Sequence, residues 1–169
     1  MPQEIERKFL VTGHRWQSLA APRLYRQGYI PTQGLQTVRV RIVGQQGYLT
    51  LKGPAEGLTR AEFEYSIPAA DAQEMLQTLC EPPLIEKHRY RIPIDDLVWE
   101  VDEFFGDNAG LIIAEVELPH ADYPVTLPDW IGEEVSDDPR YYNSNLVKHP
   151  FTRWDFTRWD FTRWDRGQS

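Results

Sequence analysis

Short segments with β-strand character recur along this chain, and inside them charged residues repeatedly stand two positions apart. Successive side chains of a strand point to opposite faces, so residues at i and i+2 share one. Glu4, Glu6 and Lys8 share a face in this way, as do Arg39 with Arg41, Glu62 with Glu64, Lys87 with Arg89 and Arg91, Glu100 with Asp102, and Glu115 with Glu117. Lys52 ends its segment two positions after Thr50. The positions between are mostly apolar: Ile5 and Phe9, Val38, Val40 and Ile42, Leu49 and Leu51, Phe63 and Tyr65, Val101, Ala114, Val116 and Leu118.

Eight strands are predicted: Glu4–Val11, Leu24–Ile30, Gln36–Val43, Tyr48–Lys52, Ala61–Ile67, Ile85–Ile92, Val98–Phe105 and Leu111–Leu118. The separators, such as Pro31 to Gly34 and Gly44 to Gly47, have the content of turns and short loops, which suits an antiparallel meander. Helices are few: near His14–Ala20, Ala70–Leu79 and Arg140–Lys148. The fold class is α+β, mainly β.

Two arrangements fit a sheet with one charged face. In the ordinary one the apolar face packs on a core and the charged face meets water. In the other the sheet closes into a barrel with its charges inside and its apolar outside covered by helices and loops. Solvent faces usually mix charges with Thr, Ser and Gln, whereas these strands are nearly monopolar, with eight carboxylates and seven cations at the positions above. Enclosed carboxylates need compensation, and a hard divalent cation with oxygen ligands supplies it where Glu clusters lack nearby His and Cys. Mg²⁺ or Mn²⁺ fits best. Arg offers planar bidentate forks and Lys a point charge for phosphate oxygens. An acidic wall for metal opposite a basic wall for phosphate describes a site for a metal-bridged polyphosphate.

The 169 residues carry a formal charge of −8, which argues against coating duplex nucleic acid. No apolar run approaches the roughly 20 residues of a membrane-spanning helix, so no membrane partner is expected. The single cysteine, Cys80, has no partner in the chain, and no signal-peptide pattern opens it, so a cytoplasmic location is expected. From Phe151 the pentad Phe-Thr-Arg-Trp-Asp runs three times, with a period that matches neither helix nor strand. The expected organisation is one domain over 1–150 and a repetitive tail without function over 151–169.

In order along the chain, Glu4-Ile5-Glu6-Arg7-Lys8, Thr37-Val38-Arg39-Val40-Arg41, Thr50-Leu51-Lys52, Arg60-Ala61-Glu62-Phe63-Glu64, Lys87-His88-Arg89, Glu100-Val101-Asp102 and Glu115-Val116-Glu117 resemble the strand motifs of the CYTH superfamily, the triphosphate tunnel metalloenzymes. The resemblance covers roughly residues 3–148, and the segments around Trp130–Val135 and Asp138–Leu146 resemble the C-terminal region of its short bacterial members. It implies an eight-stranded antiparallel closed barrel that binds a small-molecule triphosphate with one or two divalent ions, and it admits a homodimer. It also implies that Glu4, Glu6, Glu115 and Glu117 are the leading metal ligands, with Asp102, Glu62 and Glu64 as candidates either for a second ion or for supporting the ligands from behind. Lys8, Arg39, Arg41, Lys52 and Arg89 would bind substrate, Tyr29 would narrow one end of the tunnel, and Lys87 would orient or deprotonate the attacking water. Arg60 and Arg91 fall at the tunnel mouth or on the surface, and Lys148 has no secure counterpart. Because the compact chain shows no extra segment for a base, the first expectation is metal-dependent hydrolysis of inorganic tripolyphosphate, with weaker action on nucleoside triphosphates. A class IV-like adenylyl cyclase and a non-catalytic polyphosphate-binding module are the alternatives.

Overall fold

A computed structural model describes residues 3–154. Its elements, in chain order, are strands β1 (Gln3–Val11), β2 (Arg23–Ile30), β3 (Thr37–Val43), β4 (Gln46–Lys52) and β5 (Thr59–Ile67), helix α1 (Ala69–Thr78), strands β6 (Ile85–Ile94), β7 (Leu97–Phe104), β8 (Ile112–Glu117) and β9 (Ile131–Glu134), and helix α2 (Asn143–Lys148). Short 3₁₀ turns lie at Arg15–Ser18, Gly106–Asn108, Pro139–Tyr141 and Phe151–Arg153.

The eight expected strands are present and close into an antiparallel barrel in the order β5-β4-β3-β2-β6-β7-β8-β1, with β5 returning to β1. The charged faces point inward. Tight turns follow from the residues available: β3 and β4 are joined across Val43↔Gln46, with Gly44 at φ +59 where a two-residue hairpin needs a left-handed backbone.

β9 was not expected. It runs along the same edge of β1 as β5, which pairs at Gln3–Ile5, whereas β9 pairs at Phe9 and Val11. One long strand thus serves two partners on one edge and β8 on the other. Near His14–Ala20 a 3₁₀ turn replaces the expected helix, and the expected helix near Arg140–Lys148 is split by Tyr142 into a 3₁₀ turn and α2.

The apolar core lies mainly outside the barrel. Phe9, Trp99, Val101 and Val116 face outward and pack with Trp16 and Trp130 from the connecting segments. α1 covers β3 through Ala72, Leu76 and Val40. The outer face of β4–β5 is less protected: Leu51 and Phe63 are exposed, and Tyr65 is 56% exposed. A third cluster fills one end of the barrel interior, where Ile85, Phe104 and Ile113, on the same faces as Lys87, Asp102 and Glu115, pack against Leu146 and Val147 of α2. The interior therefore has an apolar floor with charges above it.

Gly28 lies where β2 meets the segment after α1, and a Cβ there would stand 2.8 Å from Cys80 Cβ and from Leu84 Cδ2. Gly28→Ala is expected to destabilise the fold by about 1–3 kcal/mol through overpacking, read as a lower midpoint of denaturant unfolding.

The packed body continues past residue 150. Phe151 N–H donates to Asn108 Oδ1 at 2.9 Å, and the Trp154 ring stands 5.2 Å from that of Tyr141, centroid to centroid. The remaining repeats, 155–169, lie outside the described residues. No helix among the described residues is long and apolar enough to cross a membrane.

Candidate functional site

The barrel encloses a cavity of about 540 Å³. Each strand contributes its charged face, and antiparallel register decides which charges meet. Glu6 stands opposite Glu117 and Lys8 opposite Glu115 across β1–β8; Lys52 stands opposite Glu62 across β4–β5; Arg89 stands opposite Asp102 and Arg91 opposite Glu100 across β6–β7.

The carboxylate wall is built by β1 and β8, with Glu62 and Glu64 of β5 beside it. Glu4 Oε1 accepts from Lys52 Nζ at 2.6 Å, and Lys52 also lies 3.4 Å from Glu62. Glu115 lies 3.4 Å from Lys8 Nζ. Burial would raise the Glu115 carboxyl, but Lys8, Arg89 and Lys87 outweigh it and hold the group well below the usual carboxylate range. Glu6 is pushed up to about 7 by burial and by the charges of Glu115 and Glu4, against the weaker pull of Lys52 and Lys8. Glu4 and Glu117 are also raised, chiefly by burial. Negative charge is therefore in excess around Glu4, Glu6 and Glu117. Glu64 accepts from Thr50 Oγ1 at 2.9 Å and lies 3.5 Å from Arg39.

The basic wall has the opposite imbalance. Arg41 is lowered to about 9 by burial and by the neighbouring charges of Arg39 and Arg89. Arg39 Nε is buried and has no hydrogen-bond partner among the described residues. Tyr25 separates two of the guanidinium groups, with Arg41 and Arg89 each 4.9 Å from its ring centroid. A cation at one wall and an anion at the other would relieve both imbalances at once.

Of the two places the sequence allows Asp102, its position corresponds to the one behind the cavity lining. Its side chain is 1% exposed and does not line the cavity. Arg89 donates to both its oxygens, Nε to Oδ1 at 2.7 Å and Nη2 to Oδ2 at 2.8 Å, and Lys87 Nζ lies 2.7 Å from Oδ2. Asp102 is the buried counter-ion of two cations, which hold its carboxyl low against the effect of burial.

The other expected residues line the cavity: Glu4, Glu6, Glu62, Glu64, Glu115 and Glu117 on the acidic side, Lys8, Arg39, Arg41, Lys52, Lys87 and Arg89 on the basic side, and Tyr29. Arg60 and Arg91 line it too, with Arg91 exposed at the rim beside Glu100; Lys148 is exposed and lies away from it. Lys87 itself is 1% exposed and sits above the apolar floor, Nζ 5.4 Å from the Phe104 ring centroid. Burial, with Arg89 and Arg41, lowers the Lys87 amine to about 7 although Asp102 opposes the shift.

Reading charge alone missed Tyr25 and Gln27, which share the inner face of β2 with Tyr29, and also Tyr48, while Arg23 on the same face falls one residue before the predicted strand. Extending the i, i+2 rule along β2 from Tyr29 finds Gln27, Tyr25 and Arg23. Ser136, Tyr142, Asn143 and Ser144 come from turns and the start of α2, where no period marks them.

Among the described residues no three carboxylates or imidazoles are gathered closely enough to hold an ion as they stand. The donor set nevertheless fits a hard divalent cation: it is all oxygen, it comes from adjacent strands, and burial together with the charges of Glu115 and Glu4 raises Glu6 to about 7, a shift that a bound cation would oppose. The sign for stability follows. A carboxyl raised from its ordinary value to about 7 contributes fully below the ordinary value and loses that contribution as pH rises through 7. Glu6→Gln is therefore expected to raise the Tm of metal-free protein at pH 8 by about 3 °C or more while weakening Mn²⁺ binding, checked by thermal unfolding in EDTA and by calorimetry.

A closed antiparallel barrel whose interior sets a carboxylate wall against a guanidinium and ammonium wall defines a class of protein built to hold a polyanion together with a hard cation. The chain belongs to the CYTH family, whose domain matches residues 2–142. It is 54% identical over 151 residues to an inorganic triphosphatase of Acetivibrio thermocellus, a match covering 89% of this chain and 97% of that protein. It is 40% identical over 150 residues to an inorganic triphosphatase of Nitrosomonas europaea, covering 85% of this chain and 96% of that protein. A crystal structure of an inorganic triphosphatase aligns with TM-score 0.62 and 34% identity, covering 85% of this chain and 96% of that one.

Proposed function

We propose that this protein hydrolyses inorganic tripolyphosphate to pyrophosphate and phosphate inside the barrel, with Mg²⁺ or Mn²⁺, and acts more weakly on nucleoside triphosphates. The observation that carries this reading is the lining of the cavity, which sets Glu4, Glu6, Glu115 and Glu117 against Arg39, Arg41 and Arg89, with the buried Nε of Arg39 lacking a hydrogen-bond partner among the described residues. The names of the two relatives support the same chemistry.

Arg39, Arg41 and Lys8 bind phosphate oxygens, the free Nε of Arg39 among their donors. Glu4, Glu6, Glu115 and Glu117 would hold the divalent ion, which when bound neutralises charge on the phosphate oxygens. Lys52, paired with Glu4 in the ligand-free barrel, is released toward substrate when the carboxylate is engaged elsewhere. Lys87 accepts a proton from the attacking water as its oxygen bonds to phosphorus. The bridging P–O bond breaks, and its electron pair stays with the departing phosphate oxygen. A buried amine lowered to about 7 is suited to that step near neutral pH. The kcat for tripolyphosphate is expected to rise with pH through about 7 as the amine loses its proton, and Lys87→Arg, which cannot lose one, is expected to remove that rise.

The test is phosphate release from tripolyphosphate, ATP and pyrophosphate in parallel, with Mg²⁺ or Mn²⁺ and an EDTA control. Metal-dependent release from tripolyphosphate far above that from ATP is expected. Equal turnover of ATP would overturn the substrate assignment, and cyclic AMP formed without phosphate release from tripolyphosphate would overturn the hydrolytic one.

A further inference from the structure

Lys87 is one end of a hydrogen-bonded relay that ends on a substrate-side arginine. Arg41 Nε donates to Gln27 Oε1 at 2.7 Å, Gln27 Nε2 donates to Asn143 Oδ1 at 3.2 Å, and Lys87 Nζ donates to that same Asn143 Oδ1 at 3.0 Å. The direction of the relay is forced. A guanidinium only donates, so Gln27 must turn its oxygen to Arg41 and its NH₂ group away, and Asn143 must then present its oxygen.

We propose that Asn143 is a positioning residue that aims the Lys87 amine at the attacking water, an inference that rests on the reading of Lys87 as the proton acceptor. An amine has four tetrahedral directions, one taken by its own carbon. Lys87 Nζ donates to Asn143 Oδ1 and forms an ion pair with Asp102, 2.7 Å from Oδ2, so in neutral Lys87 one N–H is fixed on Asn143 and the carboxylate turns the lone pair away from itself. The lone pair is left with the one remaining direction. The ion pair with Asp102 alone leaves the amine free to turn about its bond to Cε; the directional bond to Asn143 stops that rotation. Cation–π attraction to Phe104 does not replace it, because a ring face fixes distance rather than the rotation of the amine. Asn143 opens α2 and lines the cavity, so the C-terminal segment supplies the second fixed point for a base carried on β6.

Removing the acceptor misdirects the base without removing a substrate contact, so the effect falls on turnover and not on binding. Asn143→Ala is expected to lower kcat for tripolyphosphate about 10- to 100-fold, with KM within about threefold of wild type. In a Lys87→Ala background the same change is expected to cost less than about twofold, since the group being aimed is gone. Should Asn143→Ala fail to fold by circular dichroism, the near-isosteric Asn143→Asp, which keeps an acceptor for both Lys87 and Gln27, is expected to move the rise of kcat with pH upward, because the added carboxylate raises the amine, and to retain at least about a third of wild-type kcat on the plateau above that rise. The inference is overturned if Asn143→Ala turns over within twofold of wild type, if KM rises as much as kcat falls, if the loss is repeated in full in the Lys87→Ala background, or if the folded Asp variant falls below that third. Wild-type turnover by Lys87→Ala alone would instead overturn the underlying reading of Lys87, a result the same set of variants identifies separately.

Discussion

Lys87→Ala is expected to lower kcat for tripolyphosphate about 10³-fold, within the 10²–10⁴ that a positioned general base contributes, while KM changes by less than about threefold. The amine is buried above Phe104, paired with Asp102 and bonded to Asn143, which suits it to the proposed proton transfer and not to the part of another surface cation. Residual turnover by the variant measures what phosphate binding and the divalent ion supply without a base. Substrate affinity is retained because Arg39, Arg41 and Lys8 are untouched. Steady-state kinetics at saturating Mg²⁺ separate the two effects. A loss confined to KM would make Lys87 a binding residue only.

Asp102→Ala is expected to destabilise the metal-free protein by about 3–5 kcal/mol, the cost of leaving buried charges without their partner. Lys87 and Arg89 both depend on that carboxylate, and Arg89 engages both of its oxygens. The effect separates a counter-ion from a metal ligand. Removing the Glu6 charge from the carboxylate wall relieves repulsion with Glu115 and Glu4, so the metal-free fold is unharmed or stabilised, as expected for Glu6→Gln. Urea unfolding in EDTA distinguishes them: a lower midpoint for Asp102→Ala supports the counter-ion role, and an unchanged one contradicts it.

Strand number, order of charges and the inward face were legible because a period of two is written directly into the residues of β1, β3 and β5 to β8. Depth was not. The i, i+2 rule puts Glu100 and Asp102 on one face, but only the register with Arg89 and Arg91 shows that Asp102 is sealed behind guanidinium and amine while Glu100 stays near the rim. Tyr25 and Gln27 escaped notice because they carry no charge, although they lie on the same face as Tyr29. Asn143 left no signal at all: it meets Lys87 across 56 positions of sequence, through the packing of Leu146 and Val147 onto the barrel floor. β9 is four residues long and includes Gly132, too short and too irregular for a period to declare itself.

We expect the two walls of the interior to take a cation and a polyphosphate together. Crystals of Lys87→Ala grown with Mn²⁺ and tripolyphosphate show this through the anomalous signal of manganese. Manganese is expected on carboxylates from among Glu4, Glu6, Glu115 and Glu117, with phosphate density against Arg39, Arg41 and Lys8. Manganese on the outer surface, or triphosphate bound outside the barrel, would contradict it.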